Sequence, residues 1–332
     1  MEEATGVSAE QLKRLRPGLT SIRQKLRLAS TRHTTFVEDA AYSLLGIFSV
    51  SGMHAIYGER EDSLGRLLTY ILGGSGDTRI LAWTGEPSNF NSFLPAHITV
   101  FSEPATFHLP RPIPEDEMER TIATSQGLSF DLDAAVRLYD RLNELPPPWF
   151  VAQRMKLPCI AFKLPPLTPY RTRHGRLYRA DSVAFGIVDI KTRSHLSLST
   201  SLYLIHPWLD AVLGRGDIPR GEVIEDDLSD TDMEEIADDN VDNNAASLPE
   251  LELLPLPVRV RTVSLMDKKT HARRLAARLR QPFGALLVAP ASEGRPGRDY
   301  MRVATDSLIT VRFQENVSLI DLLDNVCTIH VL

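Results

Sequence analysis

Two adjacent carboxylates, Glu38 and Asp39, are the first residues whose chemistry invites attention. A general acid–base pair needs carboxylates that converge on a cleft from separate elements, and these two are chain neighbours where a helix is due to start. Thr35 and Glu38 have the spacing of a capping box. The pattern therefore predicts helix capping and compensation of the helix dipole rather than proton transfer. Tyr57-Gly58-Glu59 reads as a turn entering the next helix, with Glu59 placed to pair with a basic residue such as Arg32. Gly73-Gly74-Ser75-Gly76 could suggest a phosphate loop. It follows a helical pattern instead of a strand and lacks the Lys-Ser/Thr of a P-loop, so a helix stop is the simpler expectation.

The remaining reactive side chains are dispersed. His33, His54, His195 and His206 have no spaced Ser or Cys and Asp partners that would make a triad. Cys159 and Cys327 each lie among apolar, strand-like residues. Buried free thiols in a reducing compartment are the expectation, with a disulfide or a reactive thiol as the alternative. No Cys–His cluster has metal-ligand spacing. Neither a catalytic residue, a metal nor a cofactor is expected. Trp83, Trp149 and Trp208 are read as core or interface residues. Ser229 and Thr231, in SDTDMEE, are candidate phosphorylation sites for an acid-directed kinase, where added phosphate would mainly raise repulsion.

Charge is unevenly spread over the 332 residues. The formal net charge is −6, but 13 of the 43 acidic residues lie between Arg220 and Arg259, where there is no Lys or Arg. The rest of the chain carries 37 basic against 30 acidic residues and is mildly basic. Seven basic and no acidic residues fall between Lys13 and Arg32. No aromatic is interleaved and the cations alternate with apolar residues, so a solvated or docking face is expected and nucleic acid is not an expected partner. A second basic cluster, Arg171–Arg176, reads as a hairpin tip. No apolar run approaches the roughly 18 residues of a membrane helix, and the N-terminus has no signal-peptide pattern. The expectation is a cytoplasmic protein that does not engage membrane.

Local patterns supply the elements. Residues 8–16 and Ser21–Ala29 read as short helices. A third helix is predicted from Thr35, with Val37, Ala41, Leu44, Leu45 and Phe48 as its apolar stripe. A fourth starts near Glu59, buries Leu64, Leu67, Leu68, Ile71 and Leu72, and stops at Gly73-Gly74. Residues 75–154 read as an irregular connector with strand candidates at Ile80–Trp83 and Ile98–Phe101 and one helix over 131–143. Beyond residue 155 the period changes to that of strands: Cys159–Leu164, Arg176–Lys191, Leu196–Ile205, Val258–Met266, Ala285–Ala289, Tyr300–Phe313 and Val326–Leu332. A helix over His271–Arg280 is inserted among them. The acidic, polar stretch 221–257 cannot bury enough apolar surface to offset its ordering and is expected to be a disordered insertion. The predicted class is α+β: a helical unit (1–74), the connector (75–154), and a mainly antiparallel sandwich or barrel-like domain (155–332).

Residues 29–62 carry a more specific signal. Arg32, Thr34, Thr35, Glu38, Asp39, Ala41, Tyr42, Ser43, Leu44, Leu45, Gly46, Ile47, Phe48 and Val50, followed by Tyr57, Gly58 and Glu59, form one contiguous run. The run resembles the segment after the signature domain of fungal heterokaryon-incompatibility (HET) proteins. ATGVSAEQL (4–12) is similar to the stretch preceding it. ILAWTGEPSNFNSFLPAHI (80–98) resembles a W-x-G…F-N-S-C-L-P segment of the basidiomycete-type members, and SLITVRFQENVSLIDLLDNV (307–326) resembles their C-terminal part. One departure is Gly52-Met53-His54-Ala55, where the family has Leu/Met-Pro before its Tyr-Gly-Glu turn.

The resemblance implies a process, non-self recognition and programmed cell death in fungi. It also implies that the HET domain, where nucleotide-cleaving or death-triggering chemistry is expected, is missing here. Neither its W-I-D-x-x-C-I strand nor its G-W-T/C-x-Q-E segment is present, so no catalytic residue carries over, and Met1 is open to being an internal methionine of a longer protein. The implied role is a non-catalytic regulatory or interaction region that packs on an upstream HET domain or another protein. Two alternatives stand beside it: an enzyme with a site in the β-rich region, whose small-molecule ligand is unknown, and a degenerate fragment without independent function.

Overall fold

Alternating apolar residues after position 150 become a ring of paired strands in the computed structural model, which describes residues 16–32, 34–58, 60, 62–102, 131–172, 175–192, 196, 200–208, 265–291 and 299–332. The expected helix over 8–16, Glu59, His33, His195, Ser229, Thr231 and the acidic insertion 221–257 lie outside the described residues, apart from Arg16.

Helices come first and strands follow in an α+β arrangement, with two later helices inserted among the strands. Ahead of the strands come α1 (Ile22–Ala29), the short α2 (Asp39–Tyr42), α3 (Asp62–Ser75) and α4 (Leu132–Asn143). The first half of the β region holds β1 (Trp149–Val151), β2 (Arg154–Lys163), β3 (Thr168–Thr172), β4 (Gly175–Ser182), β5 (Gly186–Thr192) and β6 (Tyr203–Pro207). Then follow α5 (Leu265–Leu279), β7 (Phe283–Pro290), β8 (Asp299–Arg302), β9 (Ile309–Val311), α6 (Leu319–Asp324) and β10 (Val326–Val331).

Strand pairing closes on itself. β2 pairs with β10, β10 with β8, β8 with β7, β7 with β6, and β6 returns to β2. Of the two β architectures expected, the barrel-like one is therefore realised, and closure leaves these strands few open edges. Every pairing in the ring is antiparallel except the short β8–β10 contact. β3, β4 and β5 form a separate antiparallel sheet.

Side-chain alternation divides the ring residues between two cores. Met155, Leu157, Cys159, Ile205, Leu286, Val288, Ile329 and Val331 join the buried faces of α1 and α3, together with Ala41, Leu44 and Phe48. Ile160, Phe162, Leu204, Leu287 and Val326 pack instead with α4, α5 and the three-stranded sheet. Phe162, Phe185, Phe283 and Phe313 lie ring against ring in this second core, with centroids 4.9–6.2 Å apart. Asp131 caps α4 by accepting from Ala134 N–H at 3.0 Å. Lys268 Nζ of α5 donates to Asp140 of α4 at 2.9 Å.

Several local expectations are corrected. The third helix is only the four residues of α2, continued by successive turns to Ser49, and Val37 is exposed. Those turns still place Ala41, Leu44 and Phe48 inward, so the stripe survives where the helix does not. α3 runs through Gly73-Gly74 to Ser75 and ends at Gly76, whose φ is +64°. At Gly74 an added Cβ would lie 2.7 Å from Leu19 Cδ1, the movable end of a part-exposed side chain. Thr78–Leu81 and Ile98–Phe101 are 3₁₀ turns instead of strands. The first is set by the Asp77 side chain, which accepts from Arg79 N–H. The runs 176–191 and 300–313 each split into two strands, Leu265 and Met266 begin α5, and α6, with its Ser318–Asp321 capping box, went unforeseen.

Candidate functional site: a clamp between two turns

Residues up to 24 positions apart bond to one another at the joint between α2 and the start of α3. Glu38 precedes α2 and is only 5% exposed. Its side chain does not cap that helix. Instead Oε1 accepts from Gly58 N–H at 2.9 Å and Arg60 N–H at 3.0 Å. Gly58 (φ 99°) and Arg60 (φ 47°) both adopt positive φ, which turns their N–H groups onto one point. Such a backbone concavity suits an anion, and the chain's own carboxylate fills it. Glycine adopts the Gly58 conformation without steric cost.

Neighbouring side chains reinforce the joint. Tyr57 Oη donates to Asp39 Oδ1 at 3.0 Å. Tyr42 Oη donates to Ile56 O and accepts from Ile56 N–H at 2.8 Å, closing a two-way bond with one backbone residue. Arg66, from α3, donates to the same Tyr42 oxygen at 3.1 Å and to His54 O at 3.4 Å. The Tyr57 ring stands edge-on to both Phe36 and Tyr42, at centroid distances of 5.6 and 5.7 Å.

Electrostatics follow from these partners. Hydrogen bonds from its own backbone N–H and from those of Gly58 and Arg60 hold the Glu38 carboxyl below the usual carboxylate range. The bond to Asp39, and the charge of that carboxylate, push the Tyr57 phenol up. Glu38 is thus a fixed acceptor, with no proton to give near neutrality. Both carboxylates are engaged in holding backbone and side chain.

The expected residues are not all gathered here. Glu38, Asp39, Tyr42, Tyr57 and Gly58 converge. Thr34 bonds locally, its hydroxyl donating to Phe36 O at 2.7 Å, and Thr35 is exposed. Arg32 is partly buried after α1, and its Nε has no hydrogen-bond partner among the described residues. Nothing in the structure requires glycine at Gly46, where an added Cβ would meet open space. Arg66 and Ile56 were missed. The signal for Arg66 was its polar position between the buried Leu64 and Leu67 of α3, which turns it toward the preceding turns.

The cations ahead of the signature are also structural. The expected solvated face fails at two positions: Lys25 is buried, its Nζ donating to Gly18 O at 2.6 Å, and Arg23 donates to Ala82 O at 2.5 Å. The second resembling segment is anchored as firmly. Asn91 Nδ2 donates to Gln153 O at 2.7 Å and Val331 O at 3.1 Å, while its Oδ1 accepts from Phe93 N–H. Trp83 Nε1 donates to Phe93 O at 2.9 Å. Arg302 lies 3.8 Å from the Trp83 ring centroid and donates to Leu81 O and Trp83 O at 2.7 and 2.6 Å. Burial lowers this guanidinium's pKa to about 9.

An open depression lined by Ser182, Val183, Gly186, Arg312, Gln314 and Glu315 lies beside the three-stranded sheet. In its lining the Ser182 hydroxyl accepts from Ala184 N–H at 3.3 Å. Among the described residues, no three His, Cys, Asp or Glu side chains group as metal ligands, and no helix is long and apolar enough to cross a membrane. No family model matches the chain, and neither a curated protein nor a solved structure is significantly similar to it.

What the clamp leaves outward is apolar. Phe36, Val37, Ile56 and Tyr57 are 58%, 53%, 46% and 60% exposed. Phe36 and Tyr57 touch, and Val37 and Ile56 adjoin them in sequence.

Proposed function

We propose that this chain is the non-catalytic interaction region of a HET-type protein in fungal non-self recognition and programmed cell death. One observation carries the reading: the polar groups of Glu38, Asp39, Tyr42 and Tyr57 hold two turns together, while the same turns present Phe36, Val37, Ile56 and Tyr57 to solvent. A clamped, exposed apolar surface is suited to docking a partner protein, here a HET domain supplied upstream or in trans. The chain's part is to position and regulate that domain, which brings any chemistry.

The test is expression in a fungal cell, alone and fused to a HET domain, for the wild type and for Val37→Asp/Ile56→Asp. Death is expected from the wild-type fusion only, and the double substitution should alter it while leaving the isolated chain folded. Equal toxicity of the isolated wild-type chain, or turnover of NAD or other nucleotides by it, would overturn the assignment.

A further inference from the structure

Two thiols outside the clamp face each other across the ring. Cys159 of β2 and Cys327 of β10 are directly opposed in register, and their Sγ atoms lie 3.9 Å apart. Both are free. Opposed residues on antiparallel strands have Cα atoms about 4.5–5.5 Å apart, within the roughly 4.4–6.8 Å span that a disulfide bridges without backbone movement. Closing the bond needs the two sulfurs to approach by about 1.9 Å through side-chain rotation.

The two are not equivalent. Cys159 is fully buried, whereas Cys327 is partly exposed. Hydrogen bonding to Cys327 and burial push the Cys159 thiol up, while the same bond to Cys159 draws the Cys327 thiol down. Exposure and thiolate character decide which cysteine meets an oxidant.

We propose that Cys327 and Cys159 form a peroxide-oxidisable thiol pair, with Cys327 as the attacking and Cys159 as the resolving cysteine. The Cys327 thiolate attacks one oxygen of a hydroperoxide. An S–O bond forms, the O–O bond breaks, and the leaving hydroxide (or alkoxide) takes up, through solvent, the proton that the Cys327 thiol released on ionising. Cys159 then attacks the Cys327 sulfur. The S–S bond forms, the S–O bond breaks, and the departing hydroxide combines with the Cys159 proton as water. In sum, two thiols and one hydrogen peroxide give one disulfide and two waters. The bond would join residues 168 positions apart and tie β2 to β10 covalently, in the core that the ring shares with α1 and α3. A small dithiol would reverse it.

The experiment treats the full chain with equimolar hydrogen peroxide, denatures it, alkylates free thiols and maps the peptides by mass spectrometry. Reduced protein should take two alkyl groups. Oxidised protein should take none, yield a Cys159–Cys327 cross-linked peptide, run faster on a non-reducing gel, and recover both thiols with dithiothreitol. Cys159→Ser should accumulate a sulfenic acid at Cys327 that dimedone traps. Cys327→Ser should slow oxidation of the remaining thiol by roughly tenfold or more. Both thiols remaining alkylatable in the treated wild type, intermolecular linkage alone, or dimedone labelling first at Cys159 would each overturn the proposal, and the wild-type map decides it even if a variant fails to fold.

Discussion

Acid should destabilise this protein well above the carboxylate range, through His206. The residue sits on β6, its ring 4.3 Å from that of Phe283, and its Nδ1 is shielded from solvent with no hydrogen-bond partner even though the residue as a whole is partly exposed. Burial lowers its pKa from 6.5 to about 4, against a smaller opposing effect of a backbone hydrogen bond to Gly284. Between those values the unfolded chain binds a proton that the folded one refuses, so stability falls as pH falls. At about 1.4 kcal/mol per pKa unit, linkage gives a loss of about 2 kcal/mol between pH 7.5 and pH 5, rising to about 3 kcal/mol near pH 4. Urea unfolding followed by tryptophan fluorescence at each pH, on the wild type and on His206→Leu, isolates the effect. Other groups with lowered pKa, among them Glu38, Asp189 and Asp321, act in both proteins and cancel in the difference. The variant's stability should fall less between pH 7.5 and 5, by about 2 kcal/mol. Parallel pH dependences, differing by less than about 0.5 kcal/mol, would refute the reasoning.

Two further outcomes are expected. Asn91→Ala removes three hydrogen bonds and leaves Val331 O and Phe93 N–H without that partner in a buried site, so it should cost about 2–4 kcal/mol in urea unfolding at neutral pH. At Glu38 the sign runs with its lowered pKa: the clamp is complete above the ordinary carboxylate value and is lost as pH falls through the lowered one. Amide hydrogen exchange should show Gly58 and Arg60 protected at neutral pH, and Glu38→Ala should release both without exposing the amides of β2 and β10; a global loss of protection would contradict a local clamp.

Period and spacing made the skeleton legible. The change from a helical to a two-residue period after residue 150 announced the strands, and Leu64–Leu72 announced the buried face of α3. What stayed hidden depended on partners distant in sequence. Whether the sheet was a sandwich or a ring turned on β6 pairing back to β2, a contact local pattern does not encode. Gly73-Gly74 reads as a stop until Leu19 is packed against it. Ile80–Trp83 has the composition of a strand, but Asp77 caps it into a 3₁₀ turn and Arg302 takes up its carbonyls.

Glu38 shows why the signature itself was only half readable. Its sequence position next to α2 makes a local cap the economical expectation, and three residues of spacing from Thr35 support it. The structure spends the carboxylate elsewhere, because two positive-φ residues twenty and more positions onward aim their N–H groups at one point that an anion must fill. A local cap would stabilise one helix end. The long-range bond instead fixes where the turn before α3 lies relative to α2, and with it where Phe36 and Tyr57 meet. The same exchange of local for distant partners holds for Tyr42, which binds Ile56 and Arg66, and for Asp39, which binds Tyr57. The clamp constrains the shape of this surface, while the side chains of Val37 and Ile56 stand exposed beside it. If the proposed docking role holds, substitutions at Val37 and Ile56 should change partner binding while protection of the Gly58 and Arg60 amides stays unchanged.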